Sequence, residues 1–328
     1  MRPANHWVET AAADRASHPK RLPRGMKSIR SHFTEANGIR LHYLRGGSGR
    51  TLVLLHGWPE WSHVWRPVMS RLADEFDLVA PDFRGFGDSQ KTSLTPARDP
   101  TPDVLATDIL ALADVLGLER IGLVAHDVGG FVAQMIARRS PGRIAGLFFF
   151  NCAYPGIGAR WVEPSHLVET WYQFFHQMPW VADLIGSSRD ACRIYIHNFL
   201  QHWSYRKDAF DDELEVWVDN FMKPGNLQGG FNWYLSNHAS RKAVIEGVAP
   251  LPPPISIPTR VFWGEHDPLF KRSWTDRLPE FFTDLEFSFA PDAGHFVHYE
   301  TPERACEEIR RFFRRIANTG FVHGYSRG

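Results

Sequence analysis

Apolar positions divide this chain into short runs of strand character, longer stretches of helical period, and one aromatic-rich block in the middle. From Ser31 the residues alternate, SHFTEA and then IRLHYL about the pair Asn37-Gly38, which predicts a hairpin ending at Gly46-Gly47. Thr51 to Leu55 (TLVLL) is continuously apolar, as a strand buried on both faces requires. It runs into His56-Gly57-Trp58-Pro59-Glu60, a loop in which Pro59 is a candidate for a cis bond, and then a helix from about Ser62 to Ala73. Phe76 to Ala80 predicts the next strand, and Pro81-Asp82-Phe83-Arg84-Gly85-Phe86-Gly87-Asp88-Ser89 a glycine-rich turn after it. Thr101 reads as a helix cap with Pro102 in the first turn, Leu105, Ile109, Leu112 and Leu116 on one face, and Gly117 as the stop.

The stretch Ile121 to Arg138, IGLVAHDVGGFVAQMIAR, changes period at its centre. Ile121 to Ala125 has the pattern of a buried strand; from Gly129, the residues Phe131, Met135 and Arg138 fall on one helical line with Val132 and Ile136 beside it. A strand and a helix with almost nothing between them force a sharp turn with Asp127 at its apex. Small residues are needed two positions before and after such an apex, and Ala125 and Gly129 supply them. Asp127 then reads either as an N-cap or as a reactive group held out beyond the sheet; this window alone leaves both open.

Ile144 to Phe150 predicts another buried strand, so strand and helix alternate repeatedly, the pattern of a parallel sheet covered on both faces. Residues 152–248 carry helical, aromatic-rich pattern and end at Pro250-Leu251-Pro252-Pro253-Pro254. Strands resume at Thr259 to Trp263 and Leu285 to Phe289, and Pro302 to about Ile316 predicts a closing amphipathic helix. The expected organisation is therefore a sheet domain from 31–151 and 249–328, with 152–248 inserted like a lid. Residues 1–30, basic around Lys20, Arg21 and Arg24, are expected to form a flexible arm.

A chain of 328 residues, 43% hydrophobic, can bury a core of this size. Its formal net charge of +0 gives no reason to expect nucleic acid or an acidic membrane as partner. No run approaches the ~18 apolar residues of a membrane span, and the first thirty residues lack the apolar segment of a secretory signal. Three cysteines, Cys152, Cys192 and Cys306, form neither a disulfide framework nor a metal-ligand pattern, so a reduced, cytoplasmic setting without metal or cofactor is expected. Twelve Trp and 24 Phe, many between Trp161 and Trp233, fit either an aromatic-lined cavity or ordinary core packing.

Two further strand ends carry chemistry. Thr259 to Trp263 leads into Gly264-Glu265-His266-Asp267-Pro268, and Leu285 to Phe289 into Asp292-Ala293-Gly294-His295-Phe296. Loops at the carboxyl ends of parallel strands share one edge of the sheet, so Asp127, Asp267 and His295 are expected to converge there. Singly, Asp267 is a turn residue and His295 a loop histidine. Together they make a nucleophile, acid and base in one place. His126 and His266 read as structural neighbours.

On His56-Gly57-Trp58-Pro59, Asp82 to Ser89, His126-Asp127-Val128-Gly129-Gly130 and Gly294-His295, the chain resembles the α/β-hydrolase superfamily over about residues 31–317. More narrowly it is similar to the epoxide hydrolase and dehalogenase branch, where the nucleophile is Asp rather than Ser. The resemblance implies an α/β-hydrolase fold with a helical cap. It also implies a covalent alkyl ester on Asp127, hydrolysed by water that His295 activates while Asp267 orients it. The backbone N–H groups of Trp58 and Val128 would form the oxyanion hole.

The lid separates the two activities. Epoxide hydrolases usually supply two cap tyrosines as proton donors, and Trp171-Tyr172-Gln173 and Trp233-Tyr234 are similar to those segments, which implies Tyr172 and Tyr234 as acids and Trp171 and Trp233 as substrate-binding. Haloalkane dehalogenases usually follow the nucleophile with Trp, and haloacetate dehalogenases with Arg and a second Arg one turn later. Here Val128 and Phe131 stand in those places. The expectation is an epoxide hydrolase acting on a small hydrophobic epoxide. A dehalogenase using the same triad and a non-catalytic binding protein of this fold are the alternatives, and a homodimer is left open.

Overall fold

The structure, a computed structural model, describes residues 28–97 and 99–319. The expected N-terminal arm therefore lies, up to residue 27, outside the described residues. Eight strands form one sheet: β1 (Arg30–Ala36), β2 (Ile39–Gly47), β3 (Arg50–Leu55), β4 (Phe76–Pro81), β5 (Ile121–His126), β6 (Ile144–Phe150), β7 (Thr259–Gly264) and β8 (Leu285–Ala290). Their spatial order is β1-β2-β4-β3-β5-β6-β7-β8. The β1–β2 and β2–β4 pairs are antiparallel; all others are parallel. β3 to β7 are apolar runs almost wholly buried, because helices cover both faces of a parallel sheet. The hairpin turns at Asn37 and Gly38, both at positive φ, with Ala36 facing Ile39.

The helices are α1 (Arg66–Leu72), α2 (Pro102–Val115), α3 (Val128–Arg139), α4 (Leu167–Phe175), α5 (Val181–Ile185), α6 (Arg189–Trp203), α7 (Leu214–Phe221), α8 (Asn226–Ser236), α9 (His238–Ile245), α10 (Leu278–Phe281), α11 (Val297–Glu300) and α12 (Pro302–Thr319). Thr101 caps α2 by accepting from the Val104 N–H at 3.3 Å. The helix expected over Ser62 to Ala73 divides instead into a 3-10 turn, Ser62–Trp65, and α1. Pro67 has no N–H to donate and so sits in the first turn of a new helix rather than inside a long one. α1, α11 and α12 pack together, as do α2 and α3, with α3 against β3, β5 and β6.

α4 to α9 all lie between β6 and β7 in the chain. This helical block is tied to the sheet edge by buried polar contacts: Trp217 Nε1 donates to the Pro59 carbonyl at 3.1 Å, and the His295 N–H to the Trp203 carbonyl at 2.8 Å. Glu300 bridges both parts, Oε1 accepting from Gly294 N–H (2.9 Å) and Phe296 N–H (3.2 Å) and Oε2 from Tyr205 N–H (2.7 Å) and Arg206 N–H (3.1 Å). Among the described residues no helix is long and apolar enough to cross a membrane.

Candidate active site

β5 is flanked by β3 and β6, and its end turns directly into α3. Gly129 passes so close to the Leu55 carbonyl that any side chain there would collide with backbone. The apex residue, Asp127, has φ 47° and ψ −113°, an uncommon conformation for a non-glycine residue. Its side chain makes no capping hydrogen bond to α3, so the N-cap reading falls. Asp127 Oδ1 instead accepts from the Trp58 N–H at 3.0 Å, and the nearby Val128 N–H also favours the charged carboxylate. The Trp58-Pro59 bond is cis.

β7 and β8 deliver the companions. His295 Nδ1 lies 2.8 Å from Asp267 Oδ2, while its Nε2 stands 3.9 Å from Asp127 Oδ2. The other oxygen of Asp267 accepts from the N–H groups of Leu269 (2.7 Å) and Phe270 (3.0 Å), which fixes the carboxylate. Burial pulls the His295 pKa down, but the charge and hydrogen bond of Asp267 and the charge of Asp127 outweigh it, leaving a net rise. Burial raises the Asp127 pKa, against the opposing charges of His295 and His126 and the two N–H groups.

The helical block sets aromatic rings over this edge. Tyr172, from α4, stacks on Trp58 at 5.4 Å and meets Tyr234, from α8, edge-on at 5.5 Å. Gln173 Nε2 donates to the Tyr172 hydroxyl at 3.1 Å. Burial, first, and the Asp127 charge push both phenols up, so both are neutral donors at pH 7. Phe199 and Trp203 of α6 close round Tyr172, and the rings pack on one another. Tyr172 is 3% exposed, whereas neighbouring Trp171 is 44% exposed and packs on Phe175, Tyr195 and Phe199 rather than on Trp58 or Tyr234. Trp233 is buried beside Phe131.

Two site residues escape the sequence reading. Asn151, at the end of β6, donates to Asp267 Oδ2 and accepts from the Gly264 N–H at 2.6 Å; the strand-end rule that finds Asp267 reaches it equally. Glu60 lies inside the quoted loop, and its Oε2 accepts from Gly57 N–H (2.6 Å) and faces His126 Nδ1 (3.0 Å). Burial raises the Glu60 pKa, but the charges of His126 and His298 and their hydrogen bonds hold it well below the usual value. His126 Nε2 donates to the His295 carbonyl at 2.9 Å, so this buried chain braces the His295 loop from beneath. Glu60, His126 and His298 are near enough to share a cation, yet two of them already hold backbone partners. His266 stacks on Tyr205, outside the group.

A sharp strand-to-helix turn carrying a carboxylate, with an Asp–His pair and backbone donors on the same sheet edge, defines a hydrolase site of the α/β type. The family profile of the alpha/beta hydrolase fold matches residues 50–302. The chain is 31% identical to the soluble epoxide hydrolase of Corynebacterium sp. (strain C12), across 87% of this chain and 97% of that one. It is 28% identical to epoxide hydrolase 4 of Homo sapiens, across 85% and 76% of the two chains. The solved structure of the epoxide hydrolase CorEH without ligand superposes with a TM-score of 0.75 at 28% identity, covering 88% of this chain and all of that one. This chain belongs to the α/β-hydrolase superfamily, in its epoxide hydrolase-like branch.

Proposed function

We propose that this enzyme opens an epoxide to a vicinal diol through an ester on Asp127, with residues 152–248 serving as the cap. The observation that carries the reading is the pair of neutral tyrosines, Tyr172 and Tyr234, held over Trp58 within the field of the Asp127 carboxylate. Oδ1 of Asp127 is engaged by Trp58 N–H, which leaves Oδ2 to attack an epoxide carbon. The C–O bond breaks, its electron pair moves to the ring oxygen, and a tyrosine hydroxyl protonates that oxygen.

In the second half, water gives a proton to His295 Nε2 and its oxygen adds to the ester carbon of Asp127. Trp58 N–H and Val128 N–H stabilise the oxyanion and Asp267 holds the ring; on collapse the imidazolium proton goes to the departing diol oxygen, and the remaining water proton passes from the Asp127 carboxyl to the tyrosinate, restoring carboxylate and phenol. The triad, the oxyanion donors and the acid role of both tyrosines are one proposal. Trp233, buried beside Phe131, is the better placed of the two tryptophans to touch substrate. A cytoplasmic setting belongs to the same reading and rests on three buried, free cysteines.

The apolar Val128 and Phe131 give the dehalogenase reading no support on α3. The test is a panel of epoxides and halo-acids offered to purified protein, with diol and halide both assayed. Diol from epoxides without halide from halo-acids is expected; halide release alone would overturn the proposal.

A further inference from the structure

Arg241, on α9, is a cation in the cap without an anion. Its Nη2 is shut off from solvent with no hydrogen-bond partner, and among the described residues it forms no ion pair. The guanidinium lies over two aromatic rings, 5.4 Å from the Trp161 centroid and 5.8 Å from that of Phe174. Cation–π contact holds such a group in place, but a buried guanidinium donor left unbonded is costly. A second orphan flanks the same indole: His166 is fully buried, 6.2 Å from Trp161, and neither ring nitrogen has a partner.

This corner adjoins the reacting groups. Trp161 meets Phe270 at 5.4 Å, and Phe270 meets His295 at 5.2 Å. The Arg241 charge acts on the phenols of Tyr172 and Tyr234, and it helps burial and Lys271 push the His166 pKa down to about 4. His166 is thus neutral near pH 7, one nitrogen donating, and Arg241 supplies the positive charge. A carboxylate is the complement of such a pair: its two oxygens accept from a guanidinium fork and a neutral imidazole N–H.

We propose that Arg241, assisted by His166, anchors a carboxylate on the substrate, so that the enzyme acts on epoxides bearing an acid group. This rests on the epoxide hydrolase reading above and narrows its substrate class. The anchor lies on the cap, not on α3, where Val128 and Phe131 offer no charge.

The test uses the full chain with terminal epoxy alkanoates of several chain lengths and their primary amides, which match in shape and lack the charge. The parent is expected to favour the acid over the amide in kcat/KM by ~10-fold or more, the scale of a charge-assisted pair. In Arg241→Met of matched melting temperature that ratio should collapse toward one, mainly through KM of the acid, and Arg241→Lys should restore part of it. If Arg241→Met does not fold, Arg241→Gln serves in its place. A parent that favours the amide, or an Arg241 variant losing both substrates by one factor, overturns the anchor while leaving epoxide hydrolysis intact.

Binding of an unreactive alkanoate, measured by calorimetry, reads the anchor apart from chemistry. Loss of that binding in the Arg241 variant, with no epoxide opened by the parent and halide released from halo-alkanoates, would sink the epoxide reading and keep the anchor. Equal alkanoate binding by parent and variant would remove the anchor whatever the reaction.

Discussion

Asp127 and His295 face each other across 3.9 Å, Oδ2 to Nε2, beyond direct hydrogen-bond reach. A water donating its proton to Nε2 would stand within attacking distance of the Asp127 carboxyl carbon, while the carboxylate itself stays free to attack first. That spacing suits the proposed two-step chemistry. A single turnover in oxygen-18 water should give unlabelled diol and leave the label in Asp127, read by mass spectrometry of the peptide that contains it. Label in the first-turnover diol would mean that water attacks the epoxide directly.

His295→Gln removes the base and leaves the nucleophile. Alkylation should proceed and hydrolysis stop, so a mass increase on Asp127 should persist when the variant meets an epoxide. Asp127→Ala should show no adduct. Normal turnover by the His295 variant would dismiss it as the base.

The acid limb of ester hydrolysis tests the Asp267 pairing. His295 sits net above the ordinary imidazole value of 6.5; burial works downward, and the charge and hydrogen bond of Asp267 are the strongest opposing causes. The base must be unprotonated, so activity is lost as pH falls through its pKa. In the ester the Asp127 charge is gone, and Asp267 remains as the main upward influence. Asp267→Asn should therefore move the acid limb to lower pH while lowering the plateau, because the ring also loses its orientation. Single-turnover ester decay across a pH series gives both quantities, and a limb that stays put or moves upward contradicts the pairing.

What can be read in the sequence, and what cannot, follows from the range of the forces involved. The Asp127 turn is local: a strand period becomes a helical one within a few residues, and chain connectivity dictates the corner. Asp267 and His295 are legible because parallel strands must end on a common edge. The adjacent pair Trp171-Tyr172 is less legible, since neighbours on a helix point about 100° apart and cannot both face one site. Burial reverses between them, 44% exposed against 3%. Arg241 carries no sequence signal of its own, because what distinguishes it is the lack of a partner in three dimensions.

Gly229 of α8 meets Gly85 of the core backbone to backbone, with no room for a Cβ. The contact sets how closely the helix bearing Tyr234 approaches the sheet edge. Gly229→Ala should push α8 outward and slow ester formation from an epoxide by ~10²-fold, since small misplacements of a positioned group cost that much. Ester hydrolysis, which on the proposed mechanism draws on core groups alone, Asp127, His295, Asp267 and the N–H donors of Trp58 and Val128, should suffer far less. Stopped-flow separation of the two steps measures the difference, and equal slowing of both would make the glycine contact a matter of general stability.

The hydroxyls of Tyr172 and Tyr234 provide the sharpest division between an epoxide opener and a dehalogenase. Tyr234→Phe keeps the ring against Trp58, Tyr172 and His176 and removes one oxygen. A packing role predicts little change in stability or rate. An acid role predicts that ester formation from an epoxide slows by ~10²-fold or more, the scale of losing a positioned proton donor. Tyr172→Phe also strips Gln173 of its acceptor, so it should cost some stability besides, and rates must be compared at matched fractions folded. The double variant should be nearly inert toward epoxides, because an alkoxide leaving group then has no neutral donor facing it. Halide departs as an anion without a proton, so ester formation from a halo-alkanoate would survive in a dehalogenase. Parent-rate epoxide opening in both single variants would return the two tyrosines to the aromatic core and leave the proposed function without its acid.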